Sequence, residues 1–179
     1  MAEPDLDLDA WRERVREHRA EKRRFVRENM ELPETGDDLV LYDLDPDFRV
    51  VARLQRAQNP EVVRMELTRG PDAEYERAAT LGFTLDGDHH VLAGYHAPNQ
   101  DGLFVPFTDD TSGGETPKIG RYVELDVEGV ESGSQVALDF NLAYLPFCVL
   151  DESYASPVPP ARNHVPAAIR AGEKHVEIE

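Results

Sequence analysis

The 179 residues, 40 % of them hydrophobic, suffice for one packed domain without disulfide or metal staples, and are too apolar for a disordered chain. Asp and Glu number 36 against 19 Lys and Arg, and the resulting net charge of −17 repels nucleic acid and anionic membranes, so neither is an expected partner. No apolar run approaches the roughly 20 residues of a membrane helix.

The start, Met1-Ala2-Glu3-Pro4-Asp5, has no apolar h-region of a secretory leader, and Cys148 is the lone cysteine, which together predict a reducing cytoplasm. Lysine occurs only at Lys22, Lys118 and Lys174. Many carboxylates with so little lysine suggest a salt-accumulating (halophilic) source, where a Debye length of about 3 Å at molar salt screens the self-repulsion.

Residues 9–30 read as a helix with Asp9 as N-cap and a narrow apolar stripe of Trp11, Val15, His18, Lys22 and Phe25, with Val26 beside it. From Trp11 to Met30 it carries eight of the 19 cations but only four of the 36 acids. A basic helix on an acidic body either docks on that body or offers Trp11 and Phe25 as anchors to a partner. Pro33 and Thr35-Gly36-Asp37-Asp38 close the helical region.

The rest, 47–179, reads as a β body. Strands are expected at Phe48–Leu54, Val62–Leu67, Glu74–Leu85 and His90–His96, the last two joined by an Asp86-Gly87 hairpin. After a turn cluster at 98–102 come Leu103–Phe107, a polar loop over 108–118, a strand alternating from Tyr122 to Glu128, and Gln135–Asn141. Residues 144–166 are proline-rich and irregular, and Val165–Arg170 forms a last strand ended by an Ala171-Gly172-Glu173-Lys174 turn. The reading is a single, mainly β domain (α+β by class), an antiparallel barrel or sandwich of about eight short strands behind one N-terminal helix.

Motifs of known chemistry are absent. The chain has no Walker loop, GxGxxG, HExxH or CxxC, and no metal site is expected. Thr111-Ser112-Gly113-Gly114 lacks the P-loop lysine, Asp86, Asp88, His89 and His90 read as a solvated hairpin tip, and Asp43, Asp45, Asp47 lacks the glycine and distal glutamate of a calcium loop. Cys148, between Phe147 and Val149, reads as a buried, inert thiol.

Two segments concentrate polar groups. One, 102–122, brings Asp109, Ser112, Glu115, Thr116 and Arg121 toward one sheet end; the other, 138–163, places Asp139 and Asn141 opposite Leu138 and Phe140, outward or into a cleft. Arg121 with Asp109, Glu115 and Asp139 would make an anion clamp with acid/base carboxylates, so Asp109, Ser112, Glu115, Arg121 and Asp139 are the catalytic candidates. Thr116, Tyr122, Asn141, Tyr144, Cys148 and Asn163 are the ligand-binding candidates for a small anionic molecule. A buried Arg121–Asp139 network needs the same residue types, so a hydrolase-like or small-molecule site and a non-catalytic interaction module both stand.

Gly102–Tyr122, Asp139–Cys148, Ser156–Asn163 and Ala171–Lys174 together resemble an uncharacterised family known as domain of unknown function 1684. Its pattern departs here at Pro117, Leu145 and Ser156, where the family has tyrosine, asparagine and a second cysteine. The resemblance implies no activity and no cofactor, and the missing second cysteine argues against redox or zinc chemistry.

Overall fold

The computed structural model describes residues 7–30, 39–97, 100 and 102–176. The expected helix end at Pro33 and 35–38, and residues 98, 99 and 101 of the turn cluster, lie outside the described residues. Helix α1 spans Leu8–Asn29. Its N-cap is Asp7 rather than Asp9: the extended Asp7 places its carboxylate over the amides of Asp9 and Ala10, 3.1 Å from each, and Asp9 already stands in the first turn. The buried stripe runs through Trp11, Val15 and Val26, whereas Phe25 is 44 % exposed and stacks on Phe147.

Among the described residues nine strands follow: β1 (Leu39–Leu41), β2 (Arg49–Met65), β3 (Ala73–Leu85), β4 (Asp88–His96), β5 (Leu103–Asp109), β6 (Arg121–Leu125), β7 (Gln135–Asp139), β8 (His164–Val165) and β9 (Glu173–Val176), with a short helix α2 at Phe147–Leu150. The main sheet has the order β6-β5-β4-β3-β2-β7, and β8 joins β5 in parallel. It curls into a half-barrel that does not close, leaving β6 and β7 as its two edges. The curl encloses Leu54, Leu81, Phe83, Leu103, Phe107 and Phe140. Asp86 and Gly87, both at positive φ, make the β3–β4 hairpin.

Three expectations change. Phe48–Leu54 and Val62–Leu67 belong to one long strand, because β3 pairs with both stretches and absorbs the residues between them as an irregularity between Arg56 and Glu61. Of the expected last strand, Val165–Arg170, only Val165 is strand, in β8 with His164 before it. The segment after it leaves the sheet so that its carbonyls can turn toward the Arg121 guanidinium. Finally, the turn expected at 171–174 is a sharp corner at Gly172 alone (φ 79°), after which Glu173–Val176 pairs with β1. A Cβ on Gly172 would lie 2.6 Å from the Ala143 carbonyl oxygen, so glycine is needed there.

The proline-rich segment covers the outer face of the sheet. Val158 donates to the Glu66 carbonyl, and a second cluster forms beneath it from Met65, Ala93, Tyr95, Phe104 and Tyr122. From Leu92 to Tyr95 strand β4 is therefore buried on both faces, with Leu92 facing the interior of the curl.

Candidate functional site

The candidate residues fall into separate places. Asp109 ends β5 and Arg121 begins β6, directly after the loop that joins them. Arg121 is 0 % exposed. Its Nη1 donates to the carbonyls of Ala171 (2.6 Å) and Glu173 (3.0 Å), and its Nη2 to that of Ile169 (2.7 Å). Nη2 also forms a 3.6 Å ion pair with Asp109, and the guanidinium lies over the Phe107 ring. Burial pulls the Arg121 pKa down, and the Asp109 carboxylate opposes that.

Asp109 is equally committed. Its carboxylate accepts from the hydroxyls of Thr111 and Ser112 and from the Ile169 amide at 2.7 Å. Thr111 continues the chain of bonds to Thr116. The amides of Gly113 and Gly114 are spent on the carbonyls of Thr116 and Thr111, so this glycine pair cradles nothing. Among the described residues the Arg121 Nε alone of this cluster finds no acceptor; the other bonds tie the 166–173 segment to the sheet end.

Glu115 points away from this cluster. It pairs with Arg170 at 3.0 Å and accepts from the Tyr42 hydroxyl, and the Arg170 bond holds its carboxyl below the usual range. Burial, then the bond to Glu115, pushes the Tyr42 phenol up to about 12.

Asn163 is fully buried where β4 and β5 diverge, since these strands share only the Tyr95–Phe104 pair. Its amide accepts from Ala93 N–H and donates to the Ala93 and Pro106 carbonyls, filling in for the missing strand ladder. The Tyr122 hydroxyl donates to the Pro157 carbonyl, and that of Tyr144 to Glu124 at 2.9 Å; burial raises both phenols. Half-buried Cys148 donates its amide to Ser156 Oγ at 3.1 Å.

Asp139 stands apart from Arg121, contrary to the pairing considered from the sequence. It ends β7, and its Oδ2 accepts from the Trp11 indole at 2.7 Å across α1. Its Oδ1 accepts from the amide and side chain of Asn141, which in turn clamps both backbone groups of Asp45. Beside this pair a cleft of about 570 Å³ opens between the edges β6 and β7, with α1 lying across it. Its floor is apolar, with Val123, Leu125, Val136, Ala137 and Leu142. Trp11, Arg14, Val15 and His18 line it from α1 and Arg49 from β2; Glu124 and Asp126 line the β6 side.

Of the sequence candidates only Asp139 lines this cleft. Trp11 was weighed as an anchor for a partner; it is 2 % exposed and its N–H is used inside the chain. Arg14, Arg49 and Glu124 carried no motif. For Arg14 and Glu124 the signal is positional, the i, i+3, i+4, i+7 spacing from Trp11 to His18 and the polar half of the β6 alternation; Arg49 has none. Among the described residues no group of three or more His, Cys, Asp or Glu could hold a metal ion.

Residues 36–174 match the family described as Protein of unknown function (DUF1684). The chain belongs to this family. The DUF1684 match includes the whole Arg121 cluster and Asp139 but begins after α1, so it leaves out the Trp11, Arg14, Val15 and His18 side of the cleft. Among solved structures this DUF1684 protein is similar to an uncharacterized protein of Haloarcula marismortui, determined in solution by NMR. Identity is 36 %, the likeness covers 94 % of this chain and 96 % of the archaeal one, and the TM-score is 0.76. No curated protein matches the chain.

Proposed function

We propose that this domain binds a small amphipathic anion, without chemistry, in the cleft between β6 and β7. The carrying observation is the contrast between the two polar regions. The Nη groups of Arg121 are spent on the protein's own carbonyls and Asp109 on hydroxyls and an amide, whereas the cleft joins an apolar floor to charged walls. Arg14 and His18 line the cleft from α1 and suit a carboxylate or similar head; Val123, Leu125 and Val136 suit an apolar body. Of the three carboxylates lining the cleft, Asp139 is occupied by Trp11 and Asn141, Glu124 carries the Tyr144 hydroxyl, and Asp126 accepts from the Glu128 amide. Binding is favoured over hydrolysis because, among the described residues, neither Ser112 nor Cys148 hydrogen-bonds a histidine and neither lines the cleft.

Trp11 is the single tryptophan of the chain and lines the cleft, so its emission reports occupancy. Titration with a panel of short-chain and aromatic carboxylates is expected to give a saturable change in Trp11 emission that Arg14→Glu abolishes. A panel that moves neither the emission nor the melting temperature overturns the reading.

The acidity supports residence in a salt-rich cytoplasm, in keeping with a relative from a halophilic archaeon. A melting midpoint that does not fall as KCl is withdrawn would count against it. Among the described residues no helix is long and apolar enough to cross a membrane.

A further inference from the structure

Resting on the cleft reading above, we propose that the amphipathic anion is the C-terminal end of an extended peptide, apolar–basic–apolar with a free carboxylate, laid as an added strand along β6. The first observation concerns the main chain. Tyr122 and Tyr144 exchange both of their backbone hydrogen bonds, at 3.0 and 2.9 Å, on the side of β6 away from β5. Backbone groups alternate sides along a strand, so the amide and carbonyl of Glu124 point the same way. Pro106, which has no N–H, stands opposite Tyr122 in β5 and agrees with that alternation. The antiparallel ladder begun at Tyr144 does not reach Glu124, because Phe140–Leu142 coils into a 3-10 turn. Among the described residues no partner takes up the Glu124 amide or carbonyl. Val123, Glu124, Leu125 and Asp126 all line the cleft; consecutive residues do so only where a strand turns its edge, not one face, toward the space.

Direction follows from the interrupted ladder. A strand that takes it up is antiparallel to β6, so it runs from Asp126 toward Leu142. Leu142 lies beside His18, since both line the cleft and the small crevice next to it. The C-terminal carboxylate therefore arrives where Arg14 and His18 project from α1.

Alternation then sets the sequence. Peptide residues beside Val123 and Leu125 turn inward onto Val136 and Leu142, and are apolar. The residue between them stands opposite exposed Glu124, near Asp126, and is basic. Glu124 and Asp126 accept from a hydroxyl and an amide, both neutral groups. A simple carboxylate uses only the α1 side of the cleft, whereas this peptide end uses the β6 side as well. Three extended residues span roughly 10 Å, which suits a cleft of about 570 Å³.

The test uses the wild-type protein and varies only the probe, so the folding of a variant does not enter. Acetyl-Val-Lys-Val with a free carboxylate is titrated into isotope-labelled protein, read by Trp11 emission and by the Glu124 amide resonance. Saturable binding that shifts the Glu124 amide is expected. The C-terminal amide of the same peptide should bind about tenfold or more weakly, for loss of the charged head. The analogue methylated on the lysine main-chain nitrogen should bind about fivefold or more weakly, for loss of the bond to the Glu124 carbonyl. An N-methyl analogue equal to its parent, or an unmoved Glu124 amide, overturns the added strand. If simple carboxylates change Trp11 emission and the tripeptide does not, this inference falls and the cleft reading stands; if neither does, both fall.

Discussion

Replacing Arg121 with methionine tests whether the polar cluster at the end of β5 and β6 holds the fold together. Methionine keeps the volume of the stem and removes the fork. Three carbonyls, those of Ile169, Ala171 and Glu173, lose their charged donor, and Asp109 loses its countercharge. Asp109 keeps the Thr111 and Ser112 hydroxyls and the Ile169 amide, so it is not stripped bare. Removing one partner of a buried pair costs about 3–5 kcal/mol. For a domain of this size that lowers Tm by roughly 6–20 °C. Arg121→Lys should fall between, since an ammonium lacks the planar fork that spans the three carbonyls. Adding Asp109→Asn to Arg121→Met removes the stranded charge, and the double variant should be more stable than the sum of the single losses by about 0.5–3 kcal/mol. Urea unfolding followed by far-UV circular dichroism, at fixed salt and with unchanged m, measures all five proteins: wild type, the three single variants Arg121→Met, Arg121→Lys and Asp109→Asn, and the double variant. An Arg121→Met protein within about 1 kcal/mol of wild type would refute the reasoning.

Other consequences can be checked in the same way. Trp11→Phe removes the 2.7 Å indole bond to Asp139 and should cost about 1.5–3 kcal/mol in urea unfolding; a loss of only a few tenths would mean the bond contributes little. Gly172→Ala forces a side chain into positive φ and against the Ala143 and Phe140 carbonyls, so a loss of about 2–5 kcal/mol is expected, read as a lowered denaturation midpoint. Tyr42 is raised from its ordinary pKa of 10.0 to about 12, so the folded state holds its proton longer than the unfolded chain does. Its contribution is complete below pH 10 and is lost as pH rises through about 12. Tyr42→Phe should therefore flatten that part of the alkaline stability curve, measured by denaturant midpoints alongside phenolate absorbance, and an unchanged slope would count against the assignment.

What the sequence discloses here depends on whether a feature has a period or a residue type. The α1 stripe and the β3–β4 hairpin have both. The β1–β9 pair has neither: three and four residues are too short to show alternation, and the strands lie at opposite ends of the chain. The join within β2 is hidden because Ala57–Pro60 is exposed and reads as a break, while the pairing that carries the strand through comes from β3. The proximity of Asp109 and Arg121 is legible from the loop between them. The other partners of Arg121 are main-chain carbonyls, which any residue supplies and no residue type announces. Parity turns Asp139 outward or into a cleft, but its partner Trp11 lies 128 positions away, beyond any local pattern.

That separation bears on the order of events during synthesis. Trp11 leaves the ribosome long before Asp139 exists, and Arg121 waits for acceptors 48–52 residues further on. Helix α1 can coil early from local propensity, yet the sheet edges it lies across are among the later strands to be made. Until they arrive its tryptophan stripe is uncovered, and opposite charge draws the basic helix toward the acidic chain that grows behind it.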